Sequence, residues 1–421
     1  MYQEYGLNQV PPASRRLTWW HMSLIWGGIS FCLPTFMIGA LPVPGLSWAG
    51  AFWVNVIGNA ICAILIALAG YAGVASGLPA VVLWRRYFGS VIGGRLVPLA
   101  IFCSTCGWFG LLLAATSDGL FEMLPPGSPA SHALLTVAIG AAMTITSMLG
   151  NSAILLVNRL SMPLLMLLII YHFYHAVTDG TPYFDTAYLP TGETDFFTVL
   201  NLIIAGYIVG AICSSDFSRY AKDLRANWLG AIIGVFLVSL FLSYIGMYIK
   251  LATGQWNPLK AVYFAGSGPI SVAIIVLSAW TTNHALLYSA ALSLTSLAGA
   301  SRPALYAVLA GCVGTAMALS EAASSLEGLL TWLSYLFPAL LGLFLSHYFA
   351  VSRLLPGGAP GYAAVAALLS GSLLPLLLPE WAATMAGILI GAGVYTGWSW
   401  ITDRQRRVRL KEFTMGNGRS T

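Results

Sequence analysis

Charge is what this chain has least of. Only 8% of its 421 residues are charged, against 58% hydrophobic. A soluble domain carries about 25% charged residues, so this chain cannot clothe a water-facing surface. Cysteine is sparse too, with 6 residues, which excludes a disulfide framework. The 44 Gly and 21 Pro follow no three-residue period, which excludes collagen, and the apolar content excludes disorder. There is no Gly-rich phosphate loop, no nucleophile elbow and no H-E-x-x-H pair, so the sequence offers no signature of an NTPase, a hydrolase or a metalloprotease. What remains is a polytopic membrane protein.

Long apolar runs are what the chain has in abundance. A membrane helix needs about 20 such residues. The runs bounded by charges, Pro and Gly place twelve spans near 18–42, 50–74, 96–121, 133–151, 160–178, 197–217, 227–252, 268–297, 303–320, 328–350, 361–378 and 381–401. Arg15 and Arg16 precede the first run without a small-residue cleavage pattern, so it reads as a span and not as a signal peptide. The longest external stretch, about 179–196, is too short for a soluble domain.

The basic residues test this map independently, because short cytoplasmic loops retain Lys and Arg. With the N-terminus inside, all of the 19 Lys and Arg except Lys250 and Lys260 fall on the cytoplasmic side. Acidic residues such as Glu122, Asp179, Asp185, Glu193, Asp195, Glu321, Glu327 and Glu380 fall in or beside external loops. The expectation is a multi-pass protein of a bacterial-type inner (plasma) membrane with both termini cytoplasmic. A 1–17 segment precedes the spans, and a basic tail, 403–421, follows them next to anionic lipid. The formal charge of +5 therefore needs no nucleic-acid partner, and no obligatory protein partner is evident.

A lipid-facing helix has no use for Gly-Gly, Pro or runs of hydroxyls, whereas a cavity-lining broken helix needs them to free backbone groups. Span 1 holds Gly27, Gly28, Ser30, Cys32, Pro34 and Thr35, and span 6 holds Gly206, Gly210, Cys213, Ser214 and Ser215 ahead of Asp216. Two breaks five spans apart suit inverted repeats whose first helices are discontinuous; close helix packing is the plainer alternative. In span 8, Ser278, Thr281 and Thr282 stand at i, i+3 and i+4, so their hydroxyls share one face. Such a face suits a small cation such as sodium, unless each hydroxyl only back-bonds its own helix. Asn283, about 100° further round, can face a neighbouring cavity and offer an amide to a ring edge, while His284 reads as a packed structural His.

In span 3, Thr105 and Trp108 share a face, with Gly107 and Gly110 leaving room beside the indole. In span 6, Tyr207 follows Gly206 at the presumed break. Two aromatics from different helices can sandwich a flat ligand, worth about 0.5 to 1.5 kcal/mol beyond burial. The Cys103/Cys106 pair reads as coincidental packing, and His172 with His175 is an incomplete metal site. A membrane-embedded enzyme using Asp118, Asp216 or His284 would need these groups at one depth, and a channel would need a ring of like residues; neither pattern is present. Asp216 reads as a helix-end partner of Arg219 or of the loop backbone.

Taken together, Gly107–Gly110, the run Ser215–Tyr220, the run Trp280–Asn283 and the loop from Ser76-Gly77-Leu78 through Arg85, Arg86 and Gly89 resemble the nucleobase cation symporter-1 family, most closely its cytosine permeases. The resemblance implies an all-α leucine-transporter-like fold of 12 transmembrane helices. Two inverted five-helix repeats, 18–178 and 197–350, are joined by the loop 179–196 and followed by two extra C-terminal helices within 351–402. It implies no enzyme but a secondary active transporter, importing a planar nucleobase-like heterocycle by alternating access with sodium or protons as coupling ion. Carried onto this chain, Trp108 and Tyr207 would stack on the ring beside Thr105 and Gly206, and Asn283 would bond its edge. Sodium would sit among Ser278, Thr281 and Thr282 and carbonyls at Gly28 and at Phe31 or Cys32. The chain departs from cytosine permeases at Thr105, where they carry Gln, and at Tyr207 and Val209, where they carry Phe and Ser. An unmatched buried polar group costs about 1 to 3 kcal/mol, so a changed site accepts a changed ring. A purine, a hydroxymethylpyrimidine or other thiamine-precursor base, or a hydantoin remains an alternative to cytosine.

Overall fold

A computed structural model describes residues 5–124, 131–148, 163–164, 167, 189–254, 257, 268–299, 302–320, 325–352 and 361–417. Apart from one isolated parallel bridge between Leu17 and Ala221, the described residues hold helices and no strand. In chain order the helices are α1 (Trp19–Ser30), α2 (Leu33–Gly39), α3 (Trp48–Ser76), α4 (Ala80–Phe88), α5 (Val97–Phe121), α6 (His132–Met148), α7 (Phe196–Ile212), α8 (Ser214–Ser218), α9 (Leu224–Ala231), α10 (Val238–Thr253), α11 (Gly268–Ala298), α12 (Pro303–Ala318), α13 (Leu326–Ser346), α14 (Gly361–Leu373) and α15 (Ala383–Asn417). Every expected span except 160–178 coincides with one of these helices or with a consecutive pair; that span lies almost wholly outside the described residues, as do His172, His175 and most of the loop 179–196. Large apolar side chains such as Trp53, Ile64, Leu99, Leu369 and Leu389 face outward, which is economical only against lipid.

Helix packing sorts the chain into groups. α1 packs on α9, α2 on α10, and α3 on α7. Separately, α5 packs on α11 and α12, and α6 on α12. α13, α14 and α15 form a third group that leans on α7. Close approach depends on missing side chains: a methyl on Gly246 of α10 would overlap the Phe36 carbonyl of α2, and one on Gly39 would overlap Ser243.

The first span is broken where the sequence places its helix breakers. α1 and α2 meet at 70° across Phe31 and Cys32. Cys32 is extended (φ −142°, ψ 159°), and Pro34 sits in the first turn of α2, where its missing N–H costs no hydrogen bond. The span 6 break, by contrast, is a single residue, Cys213, between α7 and α8. Gly206 and Tyr207 lie within an uninterrupted α7, six or more residues before it, so the break expected at Tyr207 falls at Cys213 instead.

One helix escaped the sequence reading. α4 continues through a π-helical stretch, Gly89–Leu96, into α5, so Ala80–Phe121 runs as one long helix where a loop was expected before residue 96. Arg85 and Arg86 made it look like a loop, but Val81, Leu83, Trp84 and Phe88 are buried. Its start is fixed from afar: the Ala80 amide donates to Asp216 Oδ1 at 2.8 Å. The end of α3 is closed by Gly77 at φ 72° and by Arg15, whose guanidinium donates to the Val74 and Ser76 carbonyls at 2.9 and 3.1 Å.

Candidate functional site

Where the α1–α2 break meets α5, α7 and α11, the packing leaves a cavity of about 120 Å³. A single water requires about a tenth of that, so the space suits a small molecule. Among the described residues that line it, none is charged. Four of the five ring-site residues expected from sequence are brought together here: Thr105, Trp108, Gly206 and Tyr207 all line the cavity.

Their local geometry decides what each offers. The Tyr207 hydroxyl lies 2.5 Å from Ser239 Oγ and 3.2 Å from Thr35 Oγ1, so its polar end is tied to α10 and α2 and its ring is left for the cavity. The Thr105 hydroxyl donates to the Ile101 carbonyl at 2.8 Å, leaving its methyl and its lone pairs. Gly206 admits Ile38 of α2, which a methyl there would meet at 2.7 Å. Gly107 and Gly110 serve another purpose than the sequence suggested. They face Leu329, Met317 and the Gly314 backbone, so they bring α5 close to α12 and α13 and do not make room beside the Trp108 indole.

Asn283 is not brought in. It is fully buried, but its Nδ2 donates to Met143 Sδ of α6 at 3.1 Å, and it is absent from the cavity lining. The 100° step from Thr282 carried it to the neighbouring helix instead of to the cavity. His284 behaves as a packed residue: its Nε2 lies 2.6 Å from Thr146 Oγ1, which also accepts from Trp280 Nε1 at 2.9 Å.

Of the three hydroxyls expected to form an ion face, Ser278 meets the break, while Thr281 and Thr282 back-bond their own helix. In an unbroken helix the Cys32 amide would bond the Gly28 carbonyl; here it donates to Ser30 O at 2.9 Å, which releases the Gly28 carbonyl. Ser278 Oγ donates to the Phe31 carbonyl at 2.5 Å, fastening α11 to the break. Thr281 and Thr282 hydroxyls both donate to the Ser278 carbonyl, at 2.8 and 3.2 Å. The Cys32 carbonyl accepts from the Thr35 amide and begins α2, while its thiol lies 3.2 Å from Thr35 Oγ1. Of the two registers left open by the sequence, Phe31 is therefore the carbonyl that meets α11, and Cys32 contributes its side chain to the cavity.

The carboxylates lie elsewhere. Asp118 bonds His132 at 2.6 Å, near the far end of α5. Asp216 caps α4, and Arg219 beside it is fully buried, donating to Asp216 O, Gly6 O and the Tyr288 hydroxyl. No group of three His, Cys, Asp or Glu capable of holding a metal occurs among the described residues. Residues the sequence reading did not assign to the ring site also line the cavity, notably Trp26, Ser30, Thr35, Phe217 and Ser289. A usable signal was present: Trp26 and Ser30 stand at i and i+4, on the same helix face.

Comparison with known proteins bears on the fold and the family. The chain is 27% identical to the cytosine permease of Escherichia coli (strain K12) over 394 residues, covering 90% of this chain and 92% of that one. Its fold matches that of Mhp1, a nucleobase-cation-symport-1 family transporter solved in a closed conformation with bromovinylhydantoin bound, at a TM-score of 0.80 and 17% identity, over 96% of this chain and 97% of that one. It also matches a Na+-coupled sialic acid symporter in a substrate-bound outward-open state, at a TM-score of 0.66 and 14% identity, over 92% and 91% of the two chains. Residues 9–368 match the permease family for cytosine/purines, uracil, thiamine and allantoin, so this chain belongs to that family and is a membrane transporter, not an enzyme.

Proposed function

We propose that the chain is a symporter that carries a small, uncharged, planar heterocycle of the nucleobase type across the membrane by alternating access, with sodium as the coupling ion. One observation carries this reading: a cavity without a charged lining residue, flanked by the rings of Trp108 and Tyr207, abuts a helix break opposite a face of hydroxyls. Rings supply the faces of such a site, and burial of a flat apolar solute between them drives binding. A charged substrate would lose its hydration with nothing opposite to compensate.

Sodium is the cation that suits the second half of the site. The Gly28 and Phe31 carbonyls and the Ser278, Thr281 and Thr282 oxygens are hard neutral ligands, and Ser278 already holds the break against α11. An ion seated there would fix the break, and with it the wall of the ring cavity that Cys32 and Thr35 form. The sodium coupling of the sialic acid symporter that shares this fold supports the choice. Spans 1–5 and 6–10 act as two inverted repeats in this reading, with the breaks at Phe31–Cys32 and Cys213 as their counterparts. The one-sided Lys and Arg distribution supports a plasma membrane of the bacterial type with both termini cytoplasmic.

Uptake of radiolabelled cytosine, uracil, hypoxanthine and hydantoin into proteoliposomes with an imposed inward sodium gradient tests the proposal. Accumulation of one of these rings, dependent on sodium, is expected. No accumulation of any ring refutes the transport reading. Accumulation that persists without sodium and follows a pH gradient refutes the sodium part alone.

A further inference from the structure

Two residues that line the cavity each carry a buried polar atom without a partner. Trp26 Nε1 and Ser30 Oγ are both buried without a hydrogen bond, and both residues line the cavity, each about 1% exposed. Several hydroxyls nearby are paired. Thr35 donates to Ser30 O, Thr105 to Ile101 O, Thr282 to Ser278 O, and within α1 itself Ser23 donates to Trp19 O at 2.8 Å. A serine inside a helix ordinarily back-bonds in this way. Ser30 does not, and a buried polar group left open asks for a ligand.

We propose that Ser30 and Trp26 read the edge of the transported ring and select one that presents a hydrogen-bond acceptor, such as an exocyclic carbonyl oxygen, towards α1. This rests on the reading of the cavity as the ring site and names the chemistry that site prefers. The indole N–H only donates, so the atom opposite it must accept, and the Ser30 hydroxyl can donate alongside it. The two residues stand at i and i+4, one above the other on the face of α1 that lines the cavity. The indole is held by the edge of Phe217, ring centroids 5.5 Å apart, and Phe217 lines the cavity as well. Trp108 and Tyr207 then supply faces, and α1 supplies the edge, the part of the recognition that stacking cannot provide. It also fills the place left by Asn283, whose amide is turned to Met143. A ring whose edge carries only donors would leave the indole N–H as unpaired in the complex as it is without it.

The test is equilibrium binding of ring pairs that differ in one oxo group, hypoxanthine against purine and 4-pyrimidinone against pyrimidine, to the purified full chain in sodium. Ser30→Ala removes one oxygen and is read first; Trp26→Phe keeps an aromatic ring and removes the N–H. Thermal unfolding and monodispersity accompany each variant, and Ser30→Ala alone decides the matter should Trp26→Phe fail to fold. The wild type is expected to prefer the oxo member of each pair, and Ser30→Ala to reduce that preference about tenfold by weakening the oxo member only. An unchanged preference, an equal loss for both members of a pair, or no oxo preference in the wild type overturns the inference while leaving the ring site standing. Failure of the wild type to bind any of the four rings overturns the ring site itself, and the inference with it.

Discussion

Thr282→Ala isolates the ion half of the proposed site. Thr282 is 6% exposed, and its hydroxyl makes a long bond, 3.2 Å, to the Ser278 carbonyl, whereas Thr281 makes a shorter one, 2.8 Å, to the same atom. A neutral hydrogen bond of that kind contributes about 0.5 to 1.5 kcal/mol at best, and alanine is the better helix former, so the empty protein should change little in stability. An interaction with a charged group is worth more, about 1.5 to 3 kcal/mol. Loss of one hydroxyl ligand should therefore raise the sodium concentration for half-maximal uptake roughly 10- to 100-fold, at 1.4 kcal/mol per decade. The ring affinity at saturating sodium should stay near that of the wild type. Thr282→Ser, which keeps the oxygen and discards the methyl, should restore most of the sodium affinity. Sodium titration of uptake in proteoliposomes measures all three. A wild-type sodium requirement in Thr282→Ala, or a Thr282→Ser variant no better than alanine, refutes this hydroxyl as a ligand.

Three further outcomes follow from the same geometry. Trp108→Ala removes a ring that is 6% exposed at the cavity wall and should weaken ring binding by roughly 100-fold, from lost stacking plus lost burial, while thermal unfolding stays cooperative; isothermal titration with the transported ring checks it. Asn283→Ala should leave ring affinity within about threefold, because its amide bonds Met143 and is absent from the cavity lining, and a larger loss in the same titration would mean that the residue reaches the ligand. Gly246→Ala should lower stability by about 1 to 3 kcal/mol, seen as a reduced Tm, since its methyl would overlap the Phe36 carbonyl and push α10 off α2.

How much of this was legible beforehand depended on the kind of signal. Apolar length is summed over about 20 residues, so it survives local error, and the described helices other than α4 accordingly fall where the hydropathy places them. The break at Phe31 and Cys32 was legible because Gly27, Gly28 and Pro34 act through their own backbones. α4 was not, because its burial depends on partners outside its own sequence, above all the Asp216 carboxylate that caps it from 136 residues away. Azimuth around a helix was the weakest signal. A residue next to a cavity-lining one turns through about 100°, and only the placement of neighbouring helices decides whether that direction meets a ligand or another helix. So Thr282 reached the cavity and Asn283 reached α6; Trp108 reached the cavity, and Gly107 and Gly110 reached α12 and α13.

The break also joins the two halves of the proposed site through a short path. Ser278 of α11 holds the Phe31 carbonyl, Cys32 follows in the chain, and Thr35 three residues on touches Cys32 Sγ, Ser30 O and the Tyr207 hydroxyl. Tyr207 in turn bonds Ser239 on α10. An ion bound between the break and α11 thus acts on the same few residues that set the position of one stacking ring. Coupling requires that the ion favour one arrangement of an element that the ring also favours. The residues from Ser30 to Thr35 are that element here: they span the break at Phe31 and Cys32 with the helix ends on either side, and they are buried throughout, so a shift on the ion side has little solvent in which to dissipate before it reaches Tyr207. Replacing Thr35 by Val removes the hydroxyl at the centre of this path while keeping its shape. It should lower the factor by which sodium tightens ring binding while changing ring affinity without sodium far less, and an unaltered factor in paired titrations with and without sodium would show that the coupling runs elsewhere.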